Sequence, residues 1–118
     1  MINIETVLEH YVIAALWSST DDDRTPLDDN YGAADIAQAT YKQMVEDVTD
    51  FVTANKDLLE VSGQSDEQIG HDFWLTRCGH GAGFWDRGLG DIGEALSDAS
   101  RPYGSVDLYV GDDGLIYD

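Results

Sequence analysis

The residues best suited to chemistry lie between Gly70 and Gly90. This stretch holds two of the three histidines, two of the three tryptophans and the only cysteine. His71, Asp72, His80 and Asp86 are the types that bind metals or transfer protons. Arg77 and Arg87 belong to the same candidate motif, and Trp74 and Trp85 could wall a pocket. The spacing does not complete a known site. The interval from His71 to His80 matches no metal-binding pattern, and on a helix His71 and Asp72 point about 100° apart. No serine or cysteine stands in a nucleophile context. Cys78 has Arg77 and His80 near it, but a helix C-terminus disfavours a thiolate. A structural role accounts for these residues more simply, with aromatics filling a core and arginines and aspartates pairing around a glycine-rich loop. A small enzyme or ligand-binding protein using His71, Asp72, His80 and Asp86 is the alternative. No metal and no cofactor is assigned.

Two further motifs fail on their details. Gly88-Leu89-Gly90-Asp91-Ile92-Gly93 fits the dinucleotide-binding glycine pattern, but no βαβ unit surrounds it and Asp91 would face the phosphates. The acidic segment Asp21 to Asn30 resembles a calcium loop, but Pro26 stands where that loop needs glycine and Gly32 where it needs glutamate.

The elements that must position these residues are mostly helical. Asn3 can cap a first helix whose buried face is Ile4, Val7, Leu8, Tyr11, Val12, Ala15 and Leu16, widened by Ile13 and Trp17. His10 falls among polar positions and reads as a surface residue. After a loop and a short turn at 33–39, a long helix is expected over 39–60, with Tyr41, Met44, Val45, Val48, Phe51, Val52 and Leu59 inward. Opposite them, Glu46, Asp50, Asp57 and Glu60 would form a carboxylate stripe about 21 Å long. Ser65 and Gln68 suggest a capping box. The helix that follows, 66–78, would close at Gly79, against a competing strand over 73–77. Leu89, Ile92, Leu96 and Ala99 form a last helical face. Val106 to Val110 and Leu115 to Tyr117 read as strands around a turn at 111–114. The expectation is one α+β domain over 1–118, mainly helical, with three to five helices and a small C-terminal antiparallel hairpin. The hairpin needs helices or a third strand for support.

The composition is strongly acidic. Twenty-four acidic and six basic residues give a net charge of -18. Such a field repels nucleic acid and anionic membranes and attracts basic partners. A hydrophobic content of 42% still allows a packed core. One cysteine makes no internal disulfide, and no basic leader or membrane-length apolar run is read, so a cytoplasmic location is expected.

The run from Gly70 to Arg77, the run from Gly79 to Gly88, and the tail from Tyr103 to Tyr117 resemble a family of small acidic proteins of phages and bacterial mobile elements. Leu16-Trp17-Ser18-Ser19 is similar as well. Cys78 departs from the family's pattern, which has asparagine there. The resemblance implies an origin in a mobile element acting within a host cell, not a mechanism. Charge and stripe together suggest a non-enzymatic protein that binds a basic host protein, one that itself handles nucleic acid. It would act as a DNA mimic or anti-defence inhibitor, since spaced carboxylates can take the places of phosphates. A homodimer joined through exposed tryptophans, Trp74 or Trp85, is a further alternative.

Overall fold

In a computed structural model that describes residues 2–118, the chain forms five α-helices and a two-stranded antiparallel sheet. The fold is α+β and mainly helical. The first helix, α1 (Ile4–Ser18), begins where the Asn3 side chain accepts from the Thr6 amide. The Ser19–Leu27 loop closes on itself: Asp21 Oδ1 accepts from the amides of Asp23 and Thr25, and the Leu27 amide donates to Ser19. Its leading carboxylate is therefore used in turn formation.

The long helix expected over 39–60 is two helices, α2 (Gln38–Ala54) and α3 (Lys56–Ser62). Asn55 separates them, with φ -119° and ψ 20°. Its side-chain amide donates to the Phe51 carbonyl at 2.9 Å. Asparagine side chains compete for backbone partners in this way, which makes asparagine a poor helix-interior residue.

Helix α4 (Asp66–Arg77) settles the choice between helix and strand. Ser65 Oγ accepts from the Gln68 amide, but the Gln68 side chain turns to Asp72, so only half of the expected capping box forms. The C-terminus is a Schellman motif. The His80 amide donates to Leu75 and the Gly79 amide to Thr76, and Gly79 has φ +72°, a left-handed position that suits glycine.

Helix α5 (Asp91–Ser100) follows, and the chain ends in strands β1 (Tyr109–Val110) and β2 (Ile116–Tyr117). Tyr109 pairs with Tyr117 and Val110 with Ile116. The first strand is shorter than the five residues expected. The support that so small a sheet requires comes from a parallel bridge between Ile36 and Ile116, with the Ala37 amide donating to the Ile116 carbonyl.

The most extensive packing is between α1 and α4. At their crossing, a Cβ on Gly70 would lie 2.1 Å from the Val7 carbonyl oxygen, so the two backbones meet directly. Phe73 on α4 stacks on Phe51 of α2 at 4.0 Å between ring centroids, and Tyr11 and Tyr103 pack around that pair. One apolar cluster runs from Val7 to Ile116.

The burial of α1 differs from expectation. Its Val7, Tyr11, Ala14 and Ala15 positions are buried, whereas Ile13 is 44% and Trp17 42% exposed. On α2, Tyr41 is 38% exposed. All three lie on faces whose apolar periodicity predicts burial. The helix is apolar around most of its circumference, and α4 covers only one side. Among the described residues no helix is long and apolar enough to cross a membrane.

Candidate functional site

Helix α4 presents a different polar group to each surrounding element. Asp72 is fully buried and accepts four donors. Gln64 Nε2 reaches it at 2.9 Å, Gln68 Nε2 at 2.8 Å, Arg87 Nη2 at 2.8 Å and Arg87 Nε at 3.1 Å. A carboxylate with two oxygens can take these donors, and the arginine approaches as a two-pronged fork. Asp72 thereby joins the loop after α4, through Arg87, to the turn before the helix, through Gln64.

Arg77, a turn and a half further on, is also buried. It donates to the carbonyls of Gly104 at 2.8 Å and Tyr103 at 2.7 Å, to Asp47 at 2.8 Å and to the Tyr11 hydroxyl at 3.1 Å. One guanidinium thus joins α1, α2, α4 and the segment after α5, and it also lies over the Phe73 and Tyr103 rings. Between the two charges, Thr76 Oγ1 accepts from the Phe84 amide, and a Cβ on Gly83 would strike that oxygen. Trp74 is 1% exposed and donates to Ser18 Oγ. It therefore offers no surface for a dimer; Trp85, at 51%, does.

The candidate cluster is distributed among several environments. Asp72 and Arg87 hold each other. His71 accepts from the Trp17 indole at 3.2 Å, the two rings lying 5.5 Å apart and tilted by 30°. Burial holds its imidazole below the usual histidine value, so the neutral, accepting form prevails near pH 7. His10, expected at the surface, is partly buried. His80 lines a separate polar pocket of about 250 Å³ with Ser18, Ser105, Asp107 and Cys78. Burial raises the Cys78 thiol above its ordinary value, and its Sγ lies 3.8 Å from the Val106 carbonyl, so it is not poised as a thiolate. Trp85, Asp86 and Arg87 are exposed, the last with its head group turned to Asp72. Among the described residues no three His, Cys, Asp or Glu side chains converge as metal ligands.

Glu46, Asp50, Asp57 and Glu60 all face solvent. The break at Asn55 puts two on α2 and two on α3, so they do not lie on a single helical line. Asp50 also accepts from the Tyr103 hydroxyl.

Sequence reasoning missed Asp47, Gln64, Gln68 and Tyr103 as partners of the two buried charges. An arginine two residues after the apolar run Phe73 to Leu75 signals the need for a counterion, but nothing in the spacing points to a carboxylate 30 residues earlier.

Two phenols, Tyr11 buried and Tyr103 partly buried, give a test of this packing. Burial raises the Tyr11 hydroxyl well above the ordinary tyrosine value, and burial together with the Asp50 bond raises Tyr103. A raised folded-state value means that the stabilisation is whole below the unfolded value, near pH 10, and is lost as pH climbs through the folded value. In an ultraviolet titration, fewer than six tyrosines should ionise before the chain unfolds in alkali. Full ionisation of all six in a folded chain would show that Tyr11 is not buried as described.

Compared with family models, curated proteins and solved structures, the chain matches none.

Proposed function

We propose that this chain is a non-enzymatic binding protein whose acidic surface engages a basic, nucleic-acid-binding site on a host protein. The observation that carries the reading is the imbalance of charge at the surface. Of 24 acidic residues, three are ion-paired among the described residues, through Arg77, Arg87 and Arg101. Arg24, Lys42 and Lys56 make no ion pair among the described residues. The rest of the carboxylate charge is available to a partner and to the field that steers it. The engagement of Asp72, Arg77 and His71 in holding the fold favours a surface role over a reaction at the motif. The resemblance to small acidic phage proteins is consistent with a target in the host cytoplasm. The two carboxylate pairs on α2 and α3 are the part of the surface offered in place of phosphates, as separate patches.

Capture from a bacterial lysate tests this reading. The tagged protein is expected to retain a nucleic-acid-binding protein at low salt, to release it as salt rises, and to lose it to competing duplex DNA. A partner whose retention is indifferent to both salt and DNA would sink the proposal.

A further inference from the structure

Ile13 and Tyr41, both exposed, line one groove. The residues of α1 at positions 8, 12, 13 and 16 follow helical spacing and, with Tyr41 and Val45 of α2, line an open apolar groove of about 770 Å³. Leu8 to Leu16 spans about 12 Å at the helical rise, a little over two turns. The charged side chains in its lining are Glu5 and Glu9, both exposed, and among the described residues no cation lines it. Lys42, beside Tyr41, lies outside the lining.

We propose that this groove docks an amphipathic, basic helix of a partner protein, with apolar anchors in the groove and lysine or arginine over Glu5 and Glu9. The proposal rests on the acidic-surface reading and says where the specific contact lies. A helix suits the site because most of its lining comes from α1 and α2, whose backbone groups are paired within the helices, the rest from Gly32 and Ala33, and no strand lines it. The partner is basic by charge complementarity. A second copy would bring a further charge of -18 and its own Glu5 and Glu9 to the same face. An apolar patch of this kind on a highly charged chain is characteristic of an interaction site.

The probe is a fluorescein-labelled peptide of about 15 residues, with leucine at i, i+3, i+4 and i+7 and lysine elsewhere. A scrambled peptide of the same composition is the control, and binding is read by anisotropy over a salt series. The amphipathic peptide is expected to bind at least about tenfold more tightly than the scrambled one. Ile13→Asp and Tyr41→Asp, both at exposed positions, should each abolish that difference while circular dichroism and the unfolding midpoint stay close to wild type. Equal, salt-sensitive binding of both peptides would overturn the groove and leave the acidic-surface reading standing. No binding of either at low salt would remove both. A wild-type dimer in sedimentation that dissociates on Ile13→Asp would assign the groove to a second copy and overturn the basic-helix proposal.

Discussion

Replacing Arg87 with methionine is expected to cost about 3 kcal/mol of folding stability at neutral pH. The effect is large because the arginine is not the costly partner. Its own head group is partly in water, whereas Asp72 is wholly buried. Without Arg87, the carboxylate keeps only the two glutamine donors and no counter-charge. Against a total stability of roughly 5–15 kcal/mol for a domain of this kind, the variant should unfold at a markedly lower urea midpoint. The double variant Asp72→Asn with Arg87→Met separates the charge effect from lost packing. Asparagine keeps an acceptor for Gln64 or Gln68 and removes the buried charge, so it should recover more than half of the loss. Equal urea midpoints for Arg87→Met and wild type would mean that the pair does not form in solution.

The second large effect is expected at Gly70. The methyl group of alanine there would lie 2.1 Å from the Val7 carbonyl oxygen and 2.8 Å from the Tyr11 amide nitrogen. Both neighbours are backbone within α1, and neither can rotate away. The helices must separate along their main contact, disturbing the packing of Val7, Tyr11 and Ile69. Over-packed cores lose typically 1–3 kcal/mol, and a clash against rigid backbone belongs at or beyond the upper end, so roughly 3 kcal/mol is expected for Gly70→Ala. Gly81 is the control, because a Cβ there meets nothing within 4 Å and its φ needs no glycine. Gly81→Ala should leave the thermal midpoint nearly unchanged or raise it slightly. Similar midpoints for the two variants would contradict the close crossing of α1 and α4.

Local signals in the sequence translated well into elements. Asn3, Ser65 and Gly79 act as caps, and the spacing of Leu96 and its neighbours corresponds to α5. What the sequence concealed depends on which surfaces meet. The apolar character of Ile13 and Trp17 reads as core because burial is the usual fate of such residues on an amphipathic helix. Whether another element covers that face of α1 is a tertiary fact. Periodicity over Met44 to Leu59 carries straight through Asn55, since a single interrupted residue barely disturbs an apolar count while it resets the helix. The candidate cluster illustrates the same point. Histidines, aspartates and arginines close in sequence suggest one site. In the fold, α4 sends His71 to Trp17, Asp72 to Arg87 and Arg77 to Asp47, three partners on different elements.

The measurement that bears most directly on the division between a structural motif and a functional surface is retention of the captured host protein by two sets of variants. One carries Glu46→Lys, Asp57→Lys and Glu60→Lys, at exposed positions with no side-chain hydrogen bond among the described residues. The other carries His80→Ala and Asp86→Asn, at exposed motif positions outside the buried network. Both should fold as wild type does, since neither touches Asp72, Arg77 or Gly70. The charge-reversed protein is expected to lose its partner at salt concentrations where wild type keeps it, and the motif variant to retain the partner as wild type does. Loss of the partner by the motif variant alone, with full retention by the charge-reversed one, would contradict the account and move the function to the loop after α4.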